Sequence, residues 1–83
     1  MRQSKAFTQQ SLSPAIQLSV LIAELHRFVR LIEADVQMEE ENSQVFDPSD
    51  AAYPKFARQL RLRRDNLIAT ISLLEDSRIS AVE

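Results

Sequence analysis

The feature that most constrains this chain is the complete absence of glycine from its 83 residues. Ordinary usage of about 7% would supply about six glycines in a chain of this length. Tight left-handed turns and most β-hairpin turns rely on glycine, so a strand-rich fold with many turns is disfavoured. Glycine-rich phosphate-binding loops are excluded, and with them the nucleotide-binding enzymes that depend on such loops. The sequence therefore favours an all-α fold.

The first helical segment begins at Ser13-Pro14. Serine caps free backbone N–H groups, and proline suits the first helical position because its missing N–H costs nothing there. Apolar residues then recur at alternating steps of four and three, the spacing of one helix face. This face, the main seam, consists of Leu18, Ile22, Leu25, Val29, Ile32 and Val36. We predict helix 1 over about 14–41, with Asn42 as its left-handed stop.

The second helical segment is set by two prolines. Asp47-Pro48 is a helix-start signal, but a helix continuing through Pro54 would lose a backbone hydrogen bond there. We therefore predict a turn over 42–53 with a short helical turn at 48–52, then helix 2 over about 54–78. Residues 1–12 are predicted as a flexible N-terminal arm, 13–80 as the helical hairpin and 81–83 as a tail. The predicted seam of helix 2 is Phe56, Leu60, Leu67, Ile71 and Leu74, with Arg63 and Arg64 at its gap.

The distribution of charge favours an antiparallel hairpin. Residues 33–50 are acidic and 51–64 are basic, and a hairpin places these two blocks side by side. Each exposed pair contributes only a few tenths of a kcal/mol, so the charges select orientation more than they stabilise. In the register that pairs the two seams, Ile22 meets Ile71 and Val29 falls opposite the two arginines.

Helix 1 carries more apolar residues than one buried face requires. At about 100° per residue, the surplus gathers on the side opposite the main seam. This second stripe consists of Ile16, Val20, Ala23, Arg27, Leu31, Ala34 and Met38. A lone two-helix hairpin is marginal, and an uncovered apolar stripe marks an interaction surface. We expect homodimerisation through the stripe into a four-helix bundle, with docking of a different protein as the alternative.

A cluster of arginines on helix 2 suggests a second function, contact with nucleic-acid phosphates or an acidic partner. The cluster consists of Arg58, Arg61, Arg63 and Arg64. The net charge of −2 argues against nucleic acid. We favour pairing within the hairpin, with Arg61 bound to Asp65 one turn later. At the seam gap, an arginine is expected to pack its stem and extend its head to solvent, or else to pair with Glu24, Glu33 or an acid of a partner protein.

Nothing in the sequence indicates a catalytic or cofactor site. Cysteine is absent and His26 is the single histidine, so we predict no enzyme activity, no cofactor and no metal site. His26 is expected to be a solvated surface residue. The acids Glu39–Glu41 are expected to form a solvated helix end, because consecutive helical side chains point in different directions.

The whole chain is predicted to be a non-enzymatic interaction module, a homodimeric adaptor or small regulatory protein. A nucleic-acid-binding hairpin and a small chaperone-like partner of another protein are the alternatives. No signal peptide is evident, and the apolar stretch 16–38 carries too many charges to cross a bilayer. We therefore expect a cytoplasmic protein.

Overall fold

The chain forms two long helices that pack against each other. The structure is a computed structural model that describes residues 13–82, and the side chains of residues 13–79. Helix α1 spans Pro14–Ser43 and helix α2 spans Lys55–Val82, with no strand among the described residues. The predicted all-α helical hairpin is confirmed. The predicted arm, 1–12, lies outside the described residues, whereas α2 continues beyond its predicted end at Arg78.

Both ends of α1 are held by local hydrogen bonds. At the start, the Ser13 hydroxyl accepts a hydrogen bond from the backbone N–H of Ile16 at 3.2 Å, as its capping role requires. At the other end, the left-handed residue is Gln44 (φ 61°) and not the predicted Asn42. The Gln44 N–H donates to the Glu40 carbonyl at 2.7 Å, and its side-chain amide donates to the Glu41 carbonyl at 2.6 Å. These bonds satisfy carbonyls that the helix end leaves free, and they offset the cost of a left-handed residue with a side chain.

The connection between the helices is two successive tight turns rather than the predicted short helix. The Asp47 carboxylate accepts hydrogen bonds from the backbone N–H of Ser49 at 3.0 Å and from its hydroxyl at 2.8 Å. Asp50 repeats the arrangement by accepting from the Ala52 N–H at 2.8 Å. Aspartates favour such turns because the short carboxylate reaches the backbone two residues ahead. The two Ser49 bonds to Asp47 also lower the pKa of that carboxyl.

The hydrophobic core is a narrow strip between the helices. One cluster consists of Ile22, Val29 and Ile71, flanked by Leu18, Leu25, Leu67 and Leu74. The remaining buried residues lie toward the turn; they are Val36, Tyr53, Ala57 and Leu60. The main seam of α1 therefore faces α2, and Val29 packs among apolar side chains rather than against the arginines predicted opposite it.

The seam of α2 contains the predicted Leu60, Leu67, Ile71 and Leu74, but not the predicted Phe56. Phe56, predicted inside, is 55% exposed, whereas the adjacent Ala57 is 0% exposed. The observed seam passes from Tyr53 through Ala57 and Leu60, and continues at the same alternating spacing through Arg64 to Leu67, Ile71 and Leu74. A small alanine at the core position lets the helices approach closely beside the turn.

The register of α2 along α1 agrees with the prediction in part. Ile71 packs in one cluster with Ile22, its predicted partner, but also with Val29. A contact of 3.5 Å joins His26 Nε2 to Glu75 Oε2. In the predicted register these two residues would lie about 12 Å apart along the helix axis, so the helices are offset from that register in the half of the hairpin away from the turn.

Candidate interaction surfaces

The second stripe of α1 lies on the side of the helix that α2 leaves uncovered. Its four large apolar residues, Ile16, Val20, Leu31 and Met38, are each at least 50% exposed in the single chain. Ala23, Arg27 and Ala34 between them are exposed as well. The main seam and this stripe lie about 180° apart on the helix at 100° per residue. The second stripe is therefore a continuous, mostly apolar line that no other side chain among residues 13–79 covers.

Arg27 is the one charged member of the stripe. Its guanidinium lies 3.5 Å from the carboxylate of Glu24, one turn earlier on the same helix. Both side chains are more than half exposed, so in the single chain the pair contributes little to stability. The pairing nevertheless supplies a counter-charge at the centre of an otherwise apolar line.

A groove runs along one side of the hairpin between the two helices. It encloses about 390 Å³ and is lined by Phe28, Ile32, Asp35, Leu60, Arg63 and Leu67. Phe28 is half exposed at its edge. Most of the apolar lining is already partly covered by packing between α1 and α2. The groove is thus a second apolar surface that is only partly open to solvent, with one acid and one arginine among its lining residues.

The opposite side of the hairpin is polar. The Tyr53 hydroxyl donates to Glu40 Oε2 at 2.7 Å, and this bond ties α2 to the last turns of α1. Burial of the ring, followed by the hydrogen bond and charge of Glu40, raises the pKa of Tyr53, whereas Arg61 opposes that shift. The His26–Glu75 contact lies on this side too. His26 is about half exposed, as expected of a surface residue, and it also bridges the two helices.

The arginine cluster does not form one basic surface. Arg58 lies over the Tyr53 ring, 5.3 Å from its centroid, and donates to the Pro48 carbonyl at 2.8 Å. Arg61 interacts with Tyr53, and Arg63 lines the groove on the other side. Because the four side chains point in different directions, a phosphate backbone could not meet them all along one face.

Arg64 occupies the seam gap that the sequence singled out. Its Nε and Nη2 donate to Asp65 Oδ1 at 3.2 and 3.0 Å, and the side chain is 19% exposed. Asp65 was predicted as the partner of Arg61, and that prediction was wrong. The predicted partners Glu24 and Glu33 were wrong as well. The stem of Arg64 packs at the seam while its head binds a carboxylate that is itself exposed, which avoids an unpaired buried charge.

Two further features of the described residues bear on function. Neither helix is long and apolar enough to span a membrane over its described part. No group of three or more histidine, aspartate or glutamate side chains in residues 13–79 is placed to hold a metal ion.

Comparison with known proteins finds no matching family model, no similar curated protein and no similar solved structure.

Proposed function

We propose that the chain is a non-enzymatic helical interaction module that forms a homodimer through the second stripe of α1. The observation that carries this proposal is the line of half-exposed apolar side chains on the side of α1 opposite α2. Water-exposed apolar lines of this length are unfavourable unless a partner covers them. A second copy of the chain offers a surface of the same shape and chemistry, as closed two-fold assemblies require.

The position of the stripe also determines how the four helices of such a dimer are arranged. Because the main seam and the second stripe lie on opposite sides of α1, the helices form a row with both α1 helices at its centre. A compact four-helix bundle, as the sequence suggested, would instead bring two grooves together. We favour the row because the stripe residues contact nothing on α2, whereas the groove lining is already partly packed.

Sedimentation equilibrium across the micromolar range tests the proposal. The parent chain is expected to dimerise, and Leu31→Glu in the second stripe is expected to abolish the dimer. Leu73→Glu is the matched control, because Leu73 on α2 is also exposed but lies outside the stripe. A carboxylate at Leu31 would face apolar side chains without a partner, a cost of several kcal/mol.

The outcomes separate the competing surfaces. Phe28→Glu, which places the same charge at the edge of the groove, is expected to leave the dimer intact. A dimer lost with Phe28→Glu but retained with Leu31→Glu would assign the interface to the groove and overturn the row. A parent chain that stays monomeric at tens of micromolar would overturn homodimerisation and leave the stripe for a different protein.

A further inference from the structure

The positions of the second stripe are spaced symmetrically about Arg27. Ala23, Val20 and Ile16 precede Arg27 by four, seven and eleven residues, and Leu31, Ala34 and Met38 follow it at the same intervals. An antiparallel helix pair related by a two-fold axis requires this property, because each residue then meets the residue equally far on the other side of the axis. Resting on the proposed function, we propose that the partner is a second copy whose α1 lies antiparallel, with the two-fold axis at Arg27.

The sizes of the side chains fit this register. Across the axis, Leu31 meets Ala23 of the second copy, and Val20 meets Ala34. In these layers next to the axis each large side chain therefore faces a small one, which avoids crowding and voids, whereas at the two ends of the stripe Ile16 meets Met38. A parallel pair in register would place Leu31 against Leu31 and Ala23 against Ala23, which alternates crowding with voids.

The charges at the centre of the stripe are also compatible with the antiparallel register. The two-fold axis brings two Arg27 side chains together, and each arrives with its own Glu24 at 3.5 Å. The four charges sum to zero, and each guanidinium lies within about a helical turn of the carboxylate from the second copy. A charge buried without a counter-charge would oppose association, so this neutral group permits the contact and favours one register.

Cysteine cross-linking tests the register, because the chain contains no cysteine of its own. In the proposed dimer, two cysteines at position 27 face each other across the axis within disulfide distance. Two cysteines at position 16 lie about 33 Å apart, given a rise of 1.5 Å per residue. We therefore expect Arg27→Cys to form a covalent dimer under mild oxidation, whereas Ile16→Cys and Met38→Cys each remain uncross-linked alone. An equimolar mixture of these last two variants is expected to cross-link between unlike chains.

The results distinguish failure of the register from failure of the dimer. Efficient cross-linking of Ile16→Cys with itself would show a parallel pair and overturn the register. A dimer by sedimentation that cross-links neither at position 27 nor between positions 16 and 38 would place the interface elsewhere. A monomer by sedimentation would overturn the proposed homodimer itself. Cross-linking in the mixture does not depend on Arg27, so it guards against any effect of removing that charge.

Discussion

The two opposite faces of α1 carry similar side chains at similar spacing, yet only one of them is covered. Val29 in the main seam is 8% exposed, whereas Val20 in the second stripe is 53% exposed. The difference does not lie in the chemistry of the residues, because both are valines in the same helix. The difference is that α2 packs against only one side of α1. Among the described residues, the hairpin therefore buries the main seam and leaves the second stripe exposed to solvent.

Helix α2 carries its exposed apolar residues in a different arrangement. They are Phe56, Leu62, Ile68, Leu73 and Ile79, and at 100° per residue they point to three different sides of the helix. Scattered exposed apolar residues are normal on protein surfaces and require no partner. The contrast supports the proposed interaction surface on α1.

The largest expected effect comes from placing the same charge on each face of α1. Val29→Asp buries a carboxylate without a partner in the core strip and should cost at least about 4 kcal/mol, enough to abolish cooperative unfolding. Val20→Asp should instead retain a cooperative transition whose midpoint no longer depends on protein concentration. Urea unfolding followed by circular dichroism at several protein concentrations measures both. Equal loss of structure in the two variants would break the distinction between the faces.

A smaller effect is expected where the seam of α2 approaches α1 most closely. Ala57→Leu adds volume at a residue that is 0% exposed and should destabilise the hairpin by about 1–3 kcal/mol. Ala69→Leu, the same change at an exposed position of α2, should alter stability by less than about 0.5 kcal/mol. The comparison is made by urea unfolding at one fixed concentration. A neutral Ala57→Leu variant would mean that the phase of α2 is not the one described.

The smallest expected effect concerns the bond that joins the helices near the turn. Tyr53→Phe removes the hydrogen bond to Glu40 and should cost about 1 kcal/mol, measured as a shift of the urea midpoint. Tyr53→Leu, which also removes the buried ring, serves as the reference for a larger loss. A midpoint unchanged in the phenylalanine variant would show that the hydroxyl bond contributes nothing.

The raised pKa of Tyr53 leads us to expect a loss of stability at alkaline pH. The pKa of Tyr53 in the folded chain is raised above its ordinary value of 10.0, so the folded state holds the phenolic proton more tightly than the unfolded state. Its contribution is complete below about pH 10 and falls as the pH rises through the folded pKa. The parent chain should therefore lose stability above about pH 10 more steeply than Tyr53→Phe. Parallel slopes for the two chains would contradict this assignment.

The sequence predicted the part of the fold that periodicity controls. The alternating spacing of Ile22, Val29 and Val36 identified the buried side of α1, and Ser13-Pro14 identified where the helix begins. These features depend on residues close together in sequence, where helical geometry leaves little freedom. The second stripe follows from the same geometry, and its residues are exposed in the single chain.

The rest of the fold depends on contacts that periodicity does not determine. Phe56 was predicted in the core because its side chain is large and apolar, but the small Ala57 occupies that position. Close approach of the two helices favours small residues there. The Tyr53–Glu40 bond brings together residues on the two sides of the aspartate turns, whose path periodicity does not determine. Arg64 was located at the seam gap, but its carboxylate partner is the adjacent Asp65 rather than a residue on α1.

Hydroxyl-radical footprinting across a range of protein concentrations tests the central claim most directly. Met38 in the second stripe is 59% exposed and Phe46 in the turn is 54% exposed, so the two side chains begin with similar access to solvent. If a second copy covers the stripe, oxidation of Met38 should fall as concentration rises while that of Phe46 stays constant. Oxidation of Met38 that does not change with concentration, in a sample that sedimentation shows to be dimeric, would contradict the account.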